Sequence, residues 1–175
     1  SGADGAVTST HKLLGAITQS AILNVQGPRV AHGRVATTVG MSQTTSPAAY
    51  IIASIDGCRR EMALYGREML ERTIALAEDA HRRLEAIPGI VVKSPSRAGF
   101  RSAMVSFTVS GKTAEEVIAA LWKKGPVRVR HVAEYDYHFI RLSTHIYNSP
   151  AEVERVSGYL AGIAASVIQR LFQFR

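Results

Sequence analysis

At 175 residues and 46% hydrophobic content the chain can bury a real core, as one domain or two small ones, which excludes an extended or disordered polymer. Its 21 Lys+Arg against 14 Asp+Glu leave a formal charge of +7, which suits a phosphate ligand; the basic residues are scattered rather than gathered in one run with interleaved aromatics, so nucleic acid is not an expected partner. The longest apolar runs, Ala48 to Ser54 and Gly158 to Ile168, are interrupted by polar residues or fall short of the roughly 20 residues that span a bilayer, so no membrane segment is expected.

No repeat, low-complexity tract or charged tail interrupts the chain, and strand-like and helix-like stretches alternate as in an α/β protein. The opening Ser1-Gly2-Ala3-Asp4 has no basic region followed by an apolar one, so no signal peptide is expected there. Gly5-Ala-Val-Thr-Ser is a short strand candidate. A turn holding His11 and Lys12 follows, then the apolar stretch Ile17 to Val25, which Gly27-Pro28 breaks. This first zone has the character of the tail of a larger sheet domain.

A protonated lysine is a poor nucleophile, but in a site that depresses its pKa it forms an imine with an aldehyde cofactor. Lys12 stands at a turn after a short strand, flanked by Ser9, Thr10 and His11, whose hydroxyls and imidazole can hydrogen-bond a phosphate beside the imine. On these residues alone an ordinary polar loop is the simpler reading.

The second zone opens at Thr44-Thr45-Ser46-Pro47, where Ser46 has the character of a helix cap and Pro47 of a first helical residue. A helical pattern then runs to Ile87, before Pro88-Gly89, with Leu70, Ile74, Ala77, Leu84 and Ile87 as its apolar stripe. Cys58 falls in this helix. As the single cysteine it excludes an internal disulfide, fits a reducing compartment and is expected to be a small buried residue, which with the missing signal makes the cytoplasm the expected location.

The third zone is predicted as strand (Ile90 to Lys93), strand (Arg101 to Val109), helix (Ala114 to Lys124), strand (Val127 to Val132), strand (Phe139 to Thr144) and a final helix from Pro150. Thr113-x-x-Glu116 and Ser149-x-x-Glu152 both have the spacing of a capping box. His131, Glu134, Asp136, His138 and His145 lack the tight helical spacing of a metal site, so no metal is expected, and Tyr135, Tyr137 and His138 are expected to line the mouth of a site or pack on the connector.

The stretch Gly2-Ala-Asp-Gly-Ala-Val-Thr-Ser-Thr-His-Lys-Leu-Leu-Gly-Ala-Ile-Thr-Gln-Ser-Ala resembles the lysine segment of the bacterial ornithine/lysine/arginine decarboxylases, enzymes that use pyridoxal 5′-phosphate. Thr44-Thr-Ser-Pro-Ala-Ala-Tyr-Ile-Ile-Ala-Ser-Ile-Asp-Gly-Cys-Arg does so too. This resemblance of residues 1–87 implies that Lys12 is the Schiff-base lysine and that Ser9 and His11 contact the cofactor. It also implies that Thr45, or its neighbour Thr44, reaches the phosphate of a partner subunit's cofactor; plain helix capping is the alternative for that stretch, and the two are compatible. Residues 88–165 are similar instead to the C-terminal domain of class V aminotransferases, through Arg101-Ser-Ala-Met-Val-Ser-Phe and Ile140-Arg-Leu-Ser-Thr-His-Ile-Tyr-Asn-Ser-Pro. In that pattern Arg141 binds the substrate α-carboxylate, a task suited to a guanidinium fork. The desulfurases of that class carry a nucleophilic cysteine on the loop before this arginine; Val129 to Ile140 has none, which disfavours sulfur transfer.

The implied architecture is α/β: part of the aspartate-aminotransferase-like large domain (1–60), a connector helix (61–88) and a small C-terminal α/β domain (89–175). The upstream aspartate that pairs with the cofactor's ring nitrogen in both families has no counterpart here, since Asp4 matches the Gly-Ala-Asp that precedes the lysine. The expectation is a partial chain: a fragment, one of two polypeptides, or a chimera joined near Pro88-Gly89. The expected function is a basic amino-acid decarboxylase acting on a small amino-acid substrate, as a homodimer or in association with an N-terminal half. The alternatives are a class V aminotransferase, lyase or epimerase, and a non-catalytic interaction domain.

Overall fold

The computed structural model describes residues 2–173, which divide into two compact units, Ser1–Arg67 and Glu68–Arg175. Ser1, Phe174 and Arg175, at the ends of the expected domain ranges, lie outside the described residues.

In the first unit β1 (Gly5–Thr8) pairs antiparallel with β2 (Ile22–Val25), with Gly5 opposite Val25 and Thr8 opposite Ile22. The turn between them contains the short helix α1 (Thr10–Leu13). Only the last four residues of the apolar stretch form a strand. The reason is local: Gln19 adopts a positive φ of 79° and the Ser20 amide donates to the Ile17 carbonyl at 3.2 Å, so the chain turns before β2 begins. Past β2, Gly27 takes a φ of 79°, a conformation that favours glycine, and the Gln26 amide donates to the Asp4 carbonyl at 2.8 Å. Asp4 also ion-pairs with Arg29 at 2.6 Å, so it closes this turn.

Helix α2 (His32–Ser42) has no counterpart in the sequence expectation. Its glycines and β-branched residues are weak helix formers, and none of its residues is buried. The hydroxyls of Thr37, Thr38 and Ser42 instead donate to the carbonyls four residues back, at 2.8–2.9 Å.

Helix α3 (Ala49–Glu85) is a single run of 37 residues that contains the boundary between the units. It starts two residues later than Pro47 implies. The carbonyl of Ala48 accepts the first helical bonds, and the Ser46 amide donates to Thr44 Oγ1 at 3.2 Å in a local turn, so Ser46 is not the cap. The buried stripe of its second half agrees with the expected one at Ala77 and Leu84 but not at Leu70 and Ile74. Thr73, Leu76, Ala77, Ala80, His81 and Leu84 are buried, whereas Leu70 and Ile74 are exposed. Leu76, Ala80 and Leu84 enter the core of the second unit, so this half of the connector is part of the small domain's packing.

That second unit is an antiparallel sheet of order β3-β4-β6-β5, made by β3 (Ile90–Val92), β4 (Met104–Val109), β5 (Arg130–Val132) and β6 (Phe139–Ser143), with helices α4 (Ala114–Lys124) and α5 (Pro150–Gln173). Val105, Phe107 and Val109 alternate inward along β4 and meet Leu84, Leu121, Ile140 and Leu160 in one core. Phe107 opposes Ile140 across the β4–β6 pair. Their neighbours in sequence, Ser106 and Arg141, therefore face the other side of the sheet.

Both capping boxes are present. Thr113 Oγ1 accepts from the Glu116 amide at 3.2 Å while Glu116 accepts from the Thr113 amide at 2.8 Å. Ser149 and Glu152 repeat the exchange at the start of α5. Hydrogen bonds from the Ser149 backbone, then from the Asn148 and Ser149 side chains, hold the Glu152 carboxyl below its ordinary range. Its folded pKa lies below the unfolded one, so this stabilisation is present above the unfolded pKa and is lost as pH falls through the folded value. Glu152→Gln is expected to flatten that acid-side loss, measured as denaturant midpoints across acidic pH.

Candidate functional site

Lys12 is exposed in α1, one residue past the imidazole of His11. The turn that presents it is braced from beneath. Thr10 is 1% exposed and its hydroxyl donates to Ser20 Oγ, also 1% exposed, at 2.8 Å. His11 Nδ1 lies 2.8 Å from the Ser20 carbonyl. A carbonyl only accepts, so Nδ1 carries the proton and Nε2 is the ring nitrogen left for an outside partner. The Lys12 amide donates to the Ser9 carbonyl at 3.0 Å, which closes the turn. One expectation changes: the Thr10 hydroxyl points into the protein and does not serve a phosphate, which leaves Ser9 and His11 as the half-buried polar neighbours of Lys12.

The segment after Lys12 is tied to α3. The Gly15 amide donates to Cys58 Sγ at 3.2 Å and the Ile17 amide to Ser54 Oγ at 3.2 Å. Ser54 and Cys58 are four residues apart and so share a helix face. Cys58 is thus not the fully buried apolar residue expected of it; it is half-buried and its sulfur accepts a hydrogen bond. Sequence reasoning passed over Ser20 and Ser54, because no linear pattern joins a serine ten residues on, or a helix face 37 residues on, to the lysine turn.

Thr44 and Thr45 are exposed in the link between α2 and α3, and the Thr44 hydroxyl takes the Ser46 amide. Arg141 belongs to the other unit. It is half-buried on β6, opposite Ser106 of β4 and Arg130 of β5. Its Nε is buried and has no hydrogen-bond partner among the described residues. Tyr135 is 88% exposed, Tyr137 stacks on Phe139 at 5.1 Å, and Tyr137 and His138 line a cavity of about 450 Å³ with Lys112 and Glu115. Arg141 does not line it. His131 contacts Glu115 at 3.0 Å and His138 contacts Asp136 at 2.9 Å. The Glu115 carboxyl lies below its ordinary range, chiefly through its own backbone N–H and the Thr113 side chain, with a smaller contribution from the two imidazoles.

The turn, with its strand, its bracing hydroxyls and the helix that follows, coincides with a known family over most of the chain: residues 5–122 match Orn/Lys/Arg decarboxylase, major domain. The chain belongs to this decarboxylase family. The match runs past Pro88-Gly89 and takes in β3, β4 and α4. Among curated relatives, the arginine decarboxylase of Halalkalibacterium halodurans is 45% identical over 89 residues, 51% of this chain and 18% of that protein. That of Bacillus subtilis is 40% identical over 102 residues, 58% of this chain and 21% of that protein. The chain thus spans about a fifth of the length of these relatives.

Among solved structures, the lysine decarboxylase LdcF of Francisella novicida superposes with a TM-score of 0.75 at 19% identity, over 93% of this chain and 28% of that one. A NifS-like protein of Rickettsia africae superposes with a TM-score of 0.70 at 16% identity, over 91% of this chain and 47% of that one. At these identities the likeness establishes the fold, which is that of part of a fold-type I pyridoxal phosphate enzyme. Among the described residues no helix is long and apolar enough to cross a membrane.

The bracing beneath Lys12 is open to a direct test. Thr10→Val removes the donor to Ser20 and leaves a buried hydroxyl unpaired, which costs about 1–3 kcal/mol. The amides of Lys12, Leu13 and Leu14 are expected to exchange faster with solvent in this variant, while those of the sheet in the second unit are unchanged.

Proposed function

We propose that this chain carries the lysine-bearing part of a pyridoxal phosphate-dependent decarboxylase of basic amino acids. The observation that carries the reading is the braced turn, in which Lys12 follows in sequence a histidine whose Nδ1 is held by the Ser20 carbonyl and stands two residues past the Thr10–Ser20 hydrogen bond. Membership of the Orn/Lys/Arg decarboxylase family and the two relatives named as arginine decarboxylases support the substrate class.

The residues present fit the cofactor. A lysine amine is the group that condenses with an aldehyde, and Ser9 supplies a hydroxyl donor to a phosphate. The His11 imidazole, with Nδ1 already committed to Ser20, would stack on the cofactor ring or, with a proton on Nε2, donate to the phosphate. When bound, the cofactor supplies an electron sink for the bond broken at the substrate's α-carbon. Lys12 Nζ would be the group that holds the cofactor's aldehyde carbon, and it would serve as the acid or base at the substrate's α-carbon. Arg141 would orient the substrate through its α-carboxylate, and Thr45 would reach the phosphate held by a partner subunit.

Assembly with other protein is part of this proposal. In the first unit Val7, Leu13, Leu23, Met41 and Tyr50 are all exposed, and the two-stranded sheet is too small to stand without a cover. A second copy or an N-terminal half supplies that cover. A half-buried thiol with no disulfide partner supports a cytoplasmic location.

A second reading, transamination or a related class V reaction, has one observation in its favour. A guanidinium on the α-carboxylate stabilises the charge that decarboxylation must disperse, and Arg141 is the open guanidinium of its sheet. Incubating the assembled protein and cofactor with ornithine, lysine and arginine separates the two. Decarboxylation predicts carbon dioxide from at least one of them, abolished in Lys12→Ala. Keto acid or pyridoxamine phosphate without carbon dioxide would overturn it in favour of the second reading.

A further inference from the structure

Arg130 of β5 and Arg141 of β6 are direct partners in the antiparallel register. Side chains so placed share one face of the sheet, and like charges directly opposite each other destabilise the pair. The neighbour of Arg141 on its other side, Ser106 of β4, offers no charge. Relief comes from the loop between β5 and β6, where Glu134 ion-pairs with Arg130. The Glu134 carboxyl lies below its ordinary range, through its own backbone N–H first and then through Arg130 and Arg141, with burial opposing.

Arg141 feels the same carboxylate at longer range but forms no ion pair with it. Among the described residues its guanidinium makes no hydrogen bond or ion pair, and its Nε is buried with nothing to accept from it. The remaining charges near this loop are committed elsewhere: Glu115 to His131 and Asp136 to His138, while Lys93 lies over the Phe139 ring. Of the two opposed cations, one is neutralised and one is open.

We propose that Glu134 is a specificity-determining residue: by neutralising Arg130 it leaves Arg141 as the one open guanidinium of this face, which then receives a ligand with one carboxylate and disfavours one with two. The inference rests on the reading that Arg141 takes the substrate carboxylate. It adds the reason a monocarboxylate is preferred. Were Arg130 unpaired, its guanidinium would stand beside Arg141 and a dicarboxylate could bridge the two; with Glu134 in place, the second carboxylate meets a carboxylate instead. A substrate whose side chain is cationic meets no such repulsion.

The test follows the Arg141 Nε–H resonance of the chain, assigned by its loss in Arg141→Lys, during titration with acetate and with succinate at constant ionic strength. In the wild type acetate is expected to shift it saturably, and succinate to do so with weaker affinity. In Glu134→Gln the succinate-to-acetate ratio of affinities is expected to rise about three- to five-fold, the size of one exposed charge pair. Adding Arg130→Gln to that variant should return the ratio to its wild-type value. A ratio unchanged in Glu134→Gln, or a gain that persists in the double variant, overturns the role of Glu134 while leaving Arg141 as a carboxylate site. If neither anion moves the resonance in the wild type, the carboxylate reading of Arg141 fails and this inference with it.

Discussion

The hydrogen bond between the buried hydroxyls of Thr10 and Ser20 is the constraint on which the placement of Lys12 depends. The first unit has almost no apolar interior of its own: Ala16 is its one residue among the buried hydrophobics. A turn in such a setting cannot be held by packing, so it is held by polar contacts that each fix a direction. Thr10 and His11 both converge on Ser20, one through its hydroxyl and one through its carbonyl. The next few residues are then fastened to α3 through Cys58 and Ser54. An amine on a four-residue helix would otherwise sample many positions, and a nucleophile needs few.

The second unit solves the opposite problem by opposite means. There a continuous apolar core of Phe107, Leu84, Leu121, Ile140 and Leu160 fixes the sheet, and the alternation of β6 then decides that Arg141 faces away from that core. The register of β5 against β6 brings Arg130 to the same face, and the loop between those strands returns Glu134 to meet it. Charge at this site is thus organised by backbone pairing.

The legible parts of the molecule were those in which local chemistry and structure agree. Helix α4 and its Thr113–Glu116 box, the start of α5 at Pro150 and the strand before Lys12 all follow from spacing and caps that act within a few residues. What failed were features decided by partners distant in sequence or by weak local preference. Ser46 and Pro47 have the form of a helix start, yet the Thr44 hydroxyl takes the Ser46 amide and the helix begins at Ala49. Ala77 and Leu84 are buried as the stripe implies, but Leu70 and Ile74 are exposed, and the face that meets the sheet also takes in Leu76 and Ala80. Helix α2 went unseen because its glycines, valines and threonines argue against it. Lys12 and Arg141 are expected from the families their motifs resemble, whereas the inward Thr10, the bracing Ser20 and the opposed Arg130 need the fold to be visible.

Lys12 is proposed as the amine that holds pyridoxal phosphate. Other lysines on the surface are equally nucleophilic in principle, so the decisive quantity is where one equivalent of cofactor goes. Reduction with borohydride after adding one equivalent of pyridoxal phosphate, followed by peptide mass mapping, reports that directly. The pyridoxyl label is expected predominantly on the peptide containing Lys12. A label spread evenly over Lys93, Lys112, Lys123 and Lys124, or one that leaves Lys12 unmodified, would contradict it.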